Sequence, residues 1–252
     1  MNAADHFLDR HLREGRGGRT AIAGVGPPVT YEELAERAGR VAAAWLDRGV
    51  EPACAGRPGD RVLLVLPDSP EFVACFFGTM KMGGIAVPVN PFTRAADYAY
   101  YAADSRPRLA VVHEWSFAEA LPALQQAKDP PRILTVAAKA PGSELLDDAL
   151  SAAFPLHVAR STKPDDVAFF LYTSGSGGQP KAAMHRHGHL LATADSYARQ
   201  VLGFQPDDVA FSASKLFFAY GLGNAGYFPL SVGAASVFLP ERPTPEKLLA
   251  VL

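Results

Sequence analysis

Apolar residues recur at helical spacing in the first long regular segment of the chain, residues 31–48. A capping box is predicted at its start, because Thr30 is followed three residues later by Glu33. Gly49 predicts its end, since glycine readily adopts the left-handed conformation that closes many helices. The segment therefore predicts an amphipathic helix, whose apolar stripe is formed by Leu34, Ala38, Val41, Ala42, Trp45 and Leu46.

Short apolar runs then alternate with helical patterns along the chain. Strands are predicted for residues 61–66, 85–89, 109–113, 132–136 and 167–171, and the first is nearly all apolar, as expected of a strand covered on both faces. Helices are predicted for residues 69–83, 95–104, 117–128 and 144–150. Strands separated by helices of this length require parallel crossover connections. The sequence therefore predicts an α/β fold with doubly wound, mostly parallel sheets and helices on both faces.

A stretch of weaker pattern separates two sets of these elements. Residues 137–166 are richer in proline, serine and charge than the flanking segments, which is typical of a linker or a subdomain boundary. We therefore expect an N-terminal α/β subdomain over residues 1–160, with the linker near residues 137–166. The start of a second α/β subdomain is expected over residues 167–252.

The composition fits a folded protein and excludes several other classes. Hydrophobic residues make up 48% of the chain, charged residues 20%, and the formal net charge is −2. Neither disorder nor a nucleic-acid partner is expected from these values. Cys54 and Cys75 are too few for a disulfide framework and lack metal-binding spacing. The first residues lack the basic and apolar regions of a signal peptide, so we expect a cytoplasmic protein.

One uncharged stretch, residues 216–240, has to be weighed as a membrane span. It contains several glycines, Asn224 and Pro229, and its apolar residues fall into two short blocks. A spanning helix needs a longer continuous apolar run. The stretch therefore predicts a buried loop and helix followed by a core strand, and no membrane contact is expected.

A glycine-rich loop provides the most informative chemistry. After the apolar run at residues 167–171, the chain reads Tyr-Thr-Ser-Gly-Ser-Gly-Gly-Gln-Pro-Lys over residues 172–181. Glycine lets backbone N–H groups approach an anion closely, and the hydroxyl groups add further donors. Lys181 adds a positive charge, and phosphate oxygens suit such a set of donors. We therefore predict a phosphate-binding loop between a strand and a helix that begins near His185 or His187.

Two common phosphate-binding patterns do not match this loop. The Walker pattern requires glycine at position 180 and serine or threonine at position 182, where this chain has Pro180 and Ala182. The dinucleotide-binding pattern also requires glycine in place of Pro180. The loop is therefore predicted to bind phosphate in a different way.

Three histidines, His185, His187 and His189, stand at alternate positions after the loop. At the start of a helix, side chains two residues apart point in different directions and do not share one ion easily. No metal site built from protein side chains is therefore predicted.

The loop resembles the phosphate-binding signature of the AMP-forming acyl-CoA synthetase superfamily, which also contains adenylation domains and luciferases. It departs from that signature at Gly177, where threonine is usual, and at Ala182, where glycine is usual. The resemblance implies that the loop holds the β and γ phosphates of ATP. That role falls on Thr173, Ser174, Gly175, Ser176, Gly178 and Lys181, with Gly177 inside the same loop.

A second segment, residues 211–224, resembles the acyl-pocket segment of benzoate–CoA ligases and related aryl-CoA ligases. On the residues alone, Tyr220 beside Phe217 and Phe218 fits a core tyrosine better than a ligand contact. The resemblance instead implies that Ala219, Tyr220 and Gly221 line the pocket for an aryl acid. A flat apolar ring packs well against aromatic and small residues.

The resemblance also implies a reaction in two halves. A carboxylate attacks the α-phosphate of ATP to give an acyl-adenylate and pyrophosphate, and the thiol of CoA then displaces AMP. The implied ligands are ATP, Mg²⁺ held through the ATP phosphates, CoA and an aryl carboxylate. A homodimer is compatible with this family.

Members of the family are longer than this chain, and their adenylating lysine lies in a C-terminal domain. We therefore expect the N-terminal half of an aryl-CoA ligase, an incomplete adenylate-forming domain with its catalytic lysine beyond residue 252. The chain alone is then expected to be inactive. Two alternatives stay open: an aryl acid-activating adenylation domain that loads a carrier protein, and a non-catalytic nucleotide-binding module.

Overall fold

Two β-sheets organise the chain in the computed structural model, which describes residues 1–173 and 179–251. The strands are β1 (Thr20–Ala23), β2 (Val29–Thr30), β3 (Arg61–Val65), β4 (Ile85–Pro88), β5 (Leu109–His113), β6 (Arg132–Val136), β7 (Glu144–Leu145), β8 (Val167–Thr173), β9 (Lys181–Arg186), β10 (Val209–Phe211) and β11 (Ala235–Val237). The α-helices are α1 (Arg10–Arg13), α2 (Tyr31–Asp47), α3 (Pro70–Lys81), α4 (Ala95–Ser105), α5 (Phe117–Gln125), α6 (Leu146–Ser151), α7 (His187–Thr193), α8 (Ala219–Gly221), α9 (Phe228–Val232) and α10 (Pro245–Val251). Shorter π-helical turns at Asp5–Asp9, Ala194–Arg199 and Leu222–Tyr227 and a 3₁₀ turn at Glu114–Ser116 complete the described elements.

The larger sheet has the strand order β7-β6-β5-β3-β4-β8-β9. Among the described residues of this sheet, neighbouring strands run parallel from β7 to β8, and the pair β8–β9 is antiparallel. Helices α3, α4 and α5 connect consecutive parallel strands, as the alternation of apolar runs and helical patterns predicts. The predicted α/β class with mostly parallel sheets is confirmed.

Helices cover both faces of this sheet, and β3 shows how the sequence produces that arrangement. Successive side chains of a strand point to opposite faces. Val62 and Leu64 join a core with the apolar residues of α2 and α3, whereas Leu63 and Val65 join a second core with those of α4 and α5. A nearly continuous apolar run is therefore required, since both faces of the strand are buried.

The start of α2 forms as its sequence predicts. The backbone N–H of Glu33 donates to Thr30 Oγ1 at 3.2 Å, and the Glu33 carboxylate accepts from the backbone N–H of Thr30 at 2.8 Å. Together these bonds form the capping box, which satisfies two backbone donors that the helix itself leaves unpaired. Farther along, Trp45 Nε1 donates to Thr79 Oγ1 at 3.0 Å and ties α2 to α3.

Two segments differ from the sequence-based expectations. Residues 144–150 are predicted as one helix, but Glu144 and Leu145 extend the sheet as β7 before α6 begins. The helix predicted to begin near His185 or His187 does begin at His187, but an unpredicted strand, β9, lies between the loop and this helix and pairs with β8, Thr173 facing Lys181. In both cases a free sheet edge offers backbone hydrogen bonds to a neighbouring segment, and periodicity within the segment does not show such pairing.

The smaller sheet has the strand order β10-β11-β1-β2 and joins distant parts of the chain. The N-terminal strand β1 pairs in parallel with β11, Ile22 facing Ser236. In the larger sheet, β8 likewise pairs with β4, Ala86 facing Phe169. Each sheet thus contains strands from both sides of the predicted boundary, and the division into two subdomains stays a prediction.

The uncharged stretch at residues 216–240 folds as short helical turns followed by β11. This agrees with the predicted buried helix and core strand. No helix in the described part of the chain has both the length and the apolar character required to cross a bilayer.

A buried ion pair joins the N-terminal turn to α3. Lys81 Nζ donates to Asp9 Oδ1 at 2.7 Å, and both side chains are buried. Burial raises the pKa of Asp9 above its usual value, although the attraction of Lys81 opposes the shift.

Gly78 allows α2 and α3 to pack closely. A Cβ atom at this position would lie 2.5 Å from Val41 Cγ1 and 2.7 Å from the carbonyl oxygen of Ala38.

Gly78→Ala is expected to lower the free energy of unfolding by about 2 kcal/mol, because the two helices must move apart. Urea unfolding measures this change. Gly18→Ala is the control, since a Cβ there meets nothing within 4 Å; equal stability of the two variants would contradict the packing argument.

Candidate functional site

Thr173 and Lys181 stand opposite each other at the two ends of the glycine-rich loop. They are paired in the β8–β9 register, and Thr173 Oγ1 donates to the carbonyl oxygen of Lys181 at 3.4 Å. Both residues are exposed. A residue with a hydroxyl group and a residue with an ammonium group thus face each other where the loop begins and ends. The other predicted phosphate-binding residues, Ser174, Gly175, Ser176, Gly177 and Gly178, lie outside the described residues.

Tyrosines fix the base of this loop to α4. Tyr100 donates its hydroxyl hydrogen bond to the carbonyl oxygen of Pro180 at 2.6 Å, and Tyr172 donates to Asp104 Oδ2 at 2.7 Å. Burial, reinforced by the Asp104 carboxylate, raises the pKa of Tyr172, so its hydroxyl stays protonated and remains a donor. The rings of Tyr101 and Tyr172 also pack together, 4.5 Å between centroids. Both strands that flank the loop are therefore attached to the same helix.

Tyr220 points away from the core. Its side chain is 69% exposed, whereas Phe217 in the same segment is buried. The interpretation of Tyr220 as a core tyrosine is therefore wrong, and Phe217 fills that role. Tyr220 lines a cleft of about 540 Å³ together with β10, residues 212–214 and Asn224. Of its predicted pocket neighbours, Ala219 is exposed beside it and Gly221 is buried.

Close backbone approach explains the glycine at position 221. A Cβ atom there would lie 2.2 Å from the carbonyl oxygen of Lys215 and 2.3 Å from that of Ser214. The turn before α8 can therefore adopt this conformation only when position 221 is glycine. Asn224 Nδ2 donates to the carbonyl oxygen of Tyr220 at 2.9 Å, which fixes the backbone on the other side.

A second buried ion pair, which the sequence reasoning missed, holds this segment. Asp68 and Lys215 are 3% and 5% exposed, and Lys215 Nζ lies 3.6 Å from Asp68 Oδ2. Asp68 Oδ1 accepts a hydrogen bond from the backbone N–H of Leu216 at 2.8 Å. Burial raises the pKa of Asp68 to about 6, against the opposing effects of that N–H and of Lys215. Burial also lowers the pKa of Lys215.

The sequence contains a signal that could have pointed to this pair. Lys215 is the one charged residue between Asp208 and Glu241, and Asp68 follows an apolar strand directly. Isolated charges in apolar surroundings are rarely buried without a partner. The signal identifies both residues, but their contact depends on the tertiary fold.

The two predicted site elements reach the same edge of the larger sheet. Strands β3, β4 and β8 are parallel, so Asp68 after β3 and Thr173 at the end of β8 lie at the carboxyl edge. Asp68 binds the segment that presents Tyr220. Ligands of open parallel α/β sheets bind at this edge. The arrangement can therefore place an anion near the loop and an apolar ring near Tyr220.

The three histidines after the loop have separate roles. His187 is buried, and its Nδ1 accepts a hydrogen bond from the backbone N–H of Ala3 at 3.1 Å. His185 stacks on Phe169 with ring centroids 4.5 Å apart, and His189 Nδ1 accepts from the backbone N–H of Arg186 at 3.3 Å. Within residues 1–173 and 179–251, no three potential metal ligands converge.

His187 gives the fold a dependence on pH. Burial lowers its pKa to about 4, so His187 is neutral in the folded state at pH 5 while it is mostly charged in the unfolded state. Its contribution to stability is thus complete above about pH 6.5 and is lost as the pH falls towards 4, about 2 kcal/mol of it by pH 5. His187→Gln keeps an acceptor for Ala3 but does not titrate.

Urea unfolding at pH 7 and pH 5 tests this effect. Between these pH values, His187→Gln is expected to lose about 2 kcal/mol less unfolding free energy than the unaltered chain. His157→Gln, at an exposed histidine, is the matched control. An identical pH dependence in His187→Gln and the unaltered chain would show that His187 is not held neutral.

Comparisons with known proteins found similar sequences and a similar fold. The family model described as "AMP-binding enzyme" matches residues 8–252. The benzoate–CoA ligase of Thauera aromatica is 42% identical over 246 residues, which cover 97% of this chain and 45% of the relative. The 4-hydroxybenzoate–CoA/benzoate–CoA ligase of Rhodopseudomonas palustris is 37% identical over 255 residues, covering 100% of this chain and 45% of that protein.

A solved structure shows the same fold. The benzoate–CoA ligase from Burkholderia xenovorans LB400 superimposes with a TM-score of 0.88 at 37% sequence identity, covering 99% of this chain and 47% of that one. The chain thus spans less than half the length of each of these three proteins.

Proposed function

The chain belongs to the AMP-binding enzyme family, and from that premise we propose that it supplies the phosphate-binding loop and the acid-binding segment of an ATP-dependent aryl acid–CoA ligase. The observation that carries the proposal is the position of Tyr220, an exposed aromatic ring on a tightly packed turn that lines a cleft. The names of the relatives support a benzoate-type acid as the substrate class.

The proposed reaction joins the acid to CoA in two steps. An oxygen of the aryl carboxylate forms a bond to the α-phosphorus of ATP, and the bond from that phosphorus to the β-phosphate oxygen breaks, which releases pyrophosphate. The sulfur of CoA then bonds to the acyl carbon, and AMP leaves with the oxygen that linked it. The thiol proton passes to solvent.

This chain's residues contribute positioning and charge neutralisation. The Thr173 hydroxyl exchanges its long hydrogen bond to the Lys181 carbonyl oxygen for one to a phosphate oxygen, and Lys181 offsets the negative charge that develops on the departing pyrophosphate. The Tyr220 ring packs against the aryl group and orients the carboxylate towards the phosphate. Mg²⁺ reaches the site with the ATP phosphates, because it keeps several waters and needs few protein ligands.

The proposed acceptor is CoA. Residues 211–224 resemble the acyl-pocket segment of CoA ligases, and the relatives at 42% and 37% identity are named for CoA. Both ATP and CoA are abundant in the cytoplasm, which is the location we propose.

Lys181→Ala tests the phosphate-binding loop. Because a charge-assisted hydrogen bond contributes about 1.5–3 kcal/mol, we expect at least about tenfold weaker binding of ATP-Mg²⁺. Calorimetric titration of the purified chain measures the affinity. Lys139→Ala removes an exposed lysine elsewhere and is the matched control. Equal ATP affinity of the two variants would place the phosphates away from Lys181.

Tyr220→Ala tests the acid-binding segment and, with it, the proposed function. Loss of the aromatic surface is expected to weaken benzoate binding about tenfold while the fold is kept, since the ring is exposed. Saturation-transfer difference NMR detects binding at millimolar concentrations of benzoate. Phe154→Ala is the control, because Phe154 is 91% exposed and outside the segment.

Two outcomes of this titration would count against the proposal. The first is no saturable benzoate signal with the unaltered chain. The second is a signal that Tyr220→Ala and Phe154→Ala change equally. Cyclohexanecarboxylate serves as the ligand control, because its ring is apolar but not flat, and weaker binding is expected.

A further inference from the structure

The Asp68–Lys215 pair lies where three parts of the chain meet. Asp68 follows β3 of the larger sheet, and Lys215 lies between β10 and α8. Lys215 Nζ also donates to the carbonyl oxygen of Leu239, which follows β11 of the smaller sheet. One ammonium group thus connects the ends of both sheets to the segment that carries Tyr220.

Stability does not explain why this pair is buried. Removing two charges from water is unfavourable, and an apolar pair of similar volume is often as stable or more stable. The pKa of Asp68, about 6, shows that burial outweighs the help from Lys215 and the Leu216 N–H. A carboxyl whose pKa is raised by folding reduces stability as the pH rises through that range. Stability alone therefore does not account for the pair, and the contacts of Lys215 with the following residues point to another role.

The backbone of Lys215 leads directly to the acid-binding residues. Its carbonyl oxygen accepts a hydrogen bond from the N–H of Phe218 at 3.0 Å, and the carbonyl oxygen of Phe218 accepts from the N–H of Leu222 at 2.8 Å. The same Lys215 carbonyl oxygen lies against Gly221 so closely that no side chain fits. A shift of Lys215 would therefore move the turn that presents Tyr220.

We propose that Asp68 and Lys215 are positioning residues for the aryl acid: by fixing Lys215 and Leu216 to the ends of both sheets, they hold Tyr220 in the cleft in its binding orientation. This inference rests on the proposed function, in which the cleft receives the acid. According to this proposal, the pair determines the affinity for the aryl acid and not the stability of the fold.

Charged side chains near the Asp68–Lys215 pair also influence it. Glu241 and Lys247 form an exposed ion pair at 3.3 Å and influence Lys215 with opposite signs. Asp68 is influenced by Lys215 and by the N–H of Leu216. A change in the protonation of Asp68 therefore alters first its interactions with Lys215 and Leu216, at the start of the acid-binding segment.

The double variant Asp68→Asn/Lys215→Met separates positioning from stability. Asn keeps an oxygen that accepts from Leu216, and Met keeps most of the lysine volume. We expect a melting temperature within about 4 °C of the unaltered chain, together with about tenfold weaker benzoate binding by the NMR titration. The control is Asp9→Asn/Lys81→Met, which removes the other buried ion pair and should leave the benzoate affinity unchanged.

Amide hydrogen exchange provides a second readout that needs no ligand. Exchange of the Phe218 and Leu222 amides is expected to rise about tenfold in Asp68→Asn/Lys215→Met and to stay unchanged in Asp9→Asn/Lys81→Met. If the double variant does not fold, Lys215→Met is measured at about pH 5, where protonation of Asp68 removes its unpaired charge. The single variant should then be folded and still bind benzoate weakly.

The possible outcomes distinguish the positioning role of the pair from the proposed function of the chain. A folded double variant with unchanged benzoate affinity and unchanged amide exchange overturns the positioning role and leaves the proposed function standing. An unaltered chain that binds no benzoate overturns the proposed function, and the amide exchange then decides alone whether the pair orders the turn.

Discussion

Burial of the parallel strands on both faces determines where this molecule can do chemistry. Strand β3 sends Val62 and Leu64 into one core and Leu63 and Val65 into the other, and helices close over each. Neither face of the central strands is accessible to a ligand. The carboxyl edge of the sheet is where loops diverge and side chains reach solvent. Asp68 and Thr173 both lie at that edge, and through them the segment that carries Tyr220 and the start of the glycine-rich loop are attached to the same sheet.

Polar groups buried in this fold act as connectors between segments distant in sequence. Lys81 joins α3 to the N-terminal turn through Asp9, and Lys215 joins the ends of the two sheets through Asp68 and Leu239. His187 accepts from the backbone of Ala3 and connects the N-terminus to α7. Hydrophobic contact is not directional, so it tolerates small shifts of one segment on another. Hydrogen bonds and ion pairs have preferred geometry and therefore fix the register of these junctions.

Much of the fold could be predicted from the sequence, because its signals are local. The Thr30–Glu33 capping box and the apolar runs of β3 and β5 identify their elements within a few residues. Strand β9 could not be found in this way, because it forms by pairing with the edge of β8 and its burial alternates only weakly. The candidate site likewise contains residues that local motifs identify and a contact that they do not. Motifs point to Tyr220 and Lys181, whose roles stay predictions, whereas the Asp68–Lys215 contact joins residues far apart in sequence and depends on the finished fold.

The pairing of β1 with β11 has a consequence for biosynthesis. A chain leaves the ribosome from its N-terminus, so β1 emerges early and its parallel partner emerges only when nearly all of the described chain has been made. Until then, β1 and β2 form at most a two-stranded ribbon with an open edge, which is marginally stable and able to pair with other chains. The larger sheet can assemble β3 to β7 during this interval, because its partners lie close together in sequence. Completion of the smaller sheet, and with it the attachment of Lys215 to Leu239, therefore follows the synthesis of strands β3 to β7 of the larger sheet.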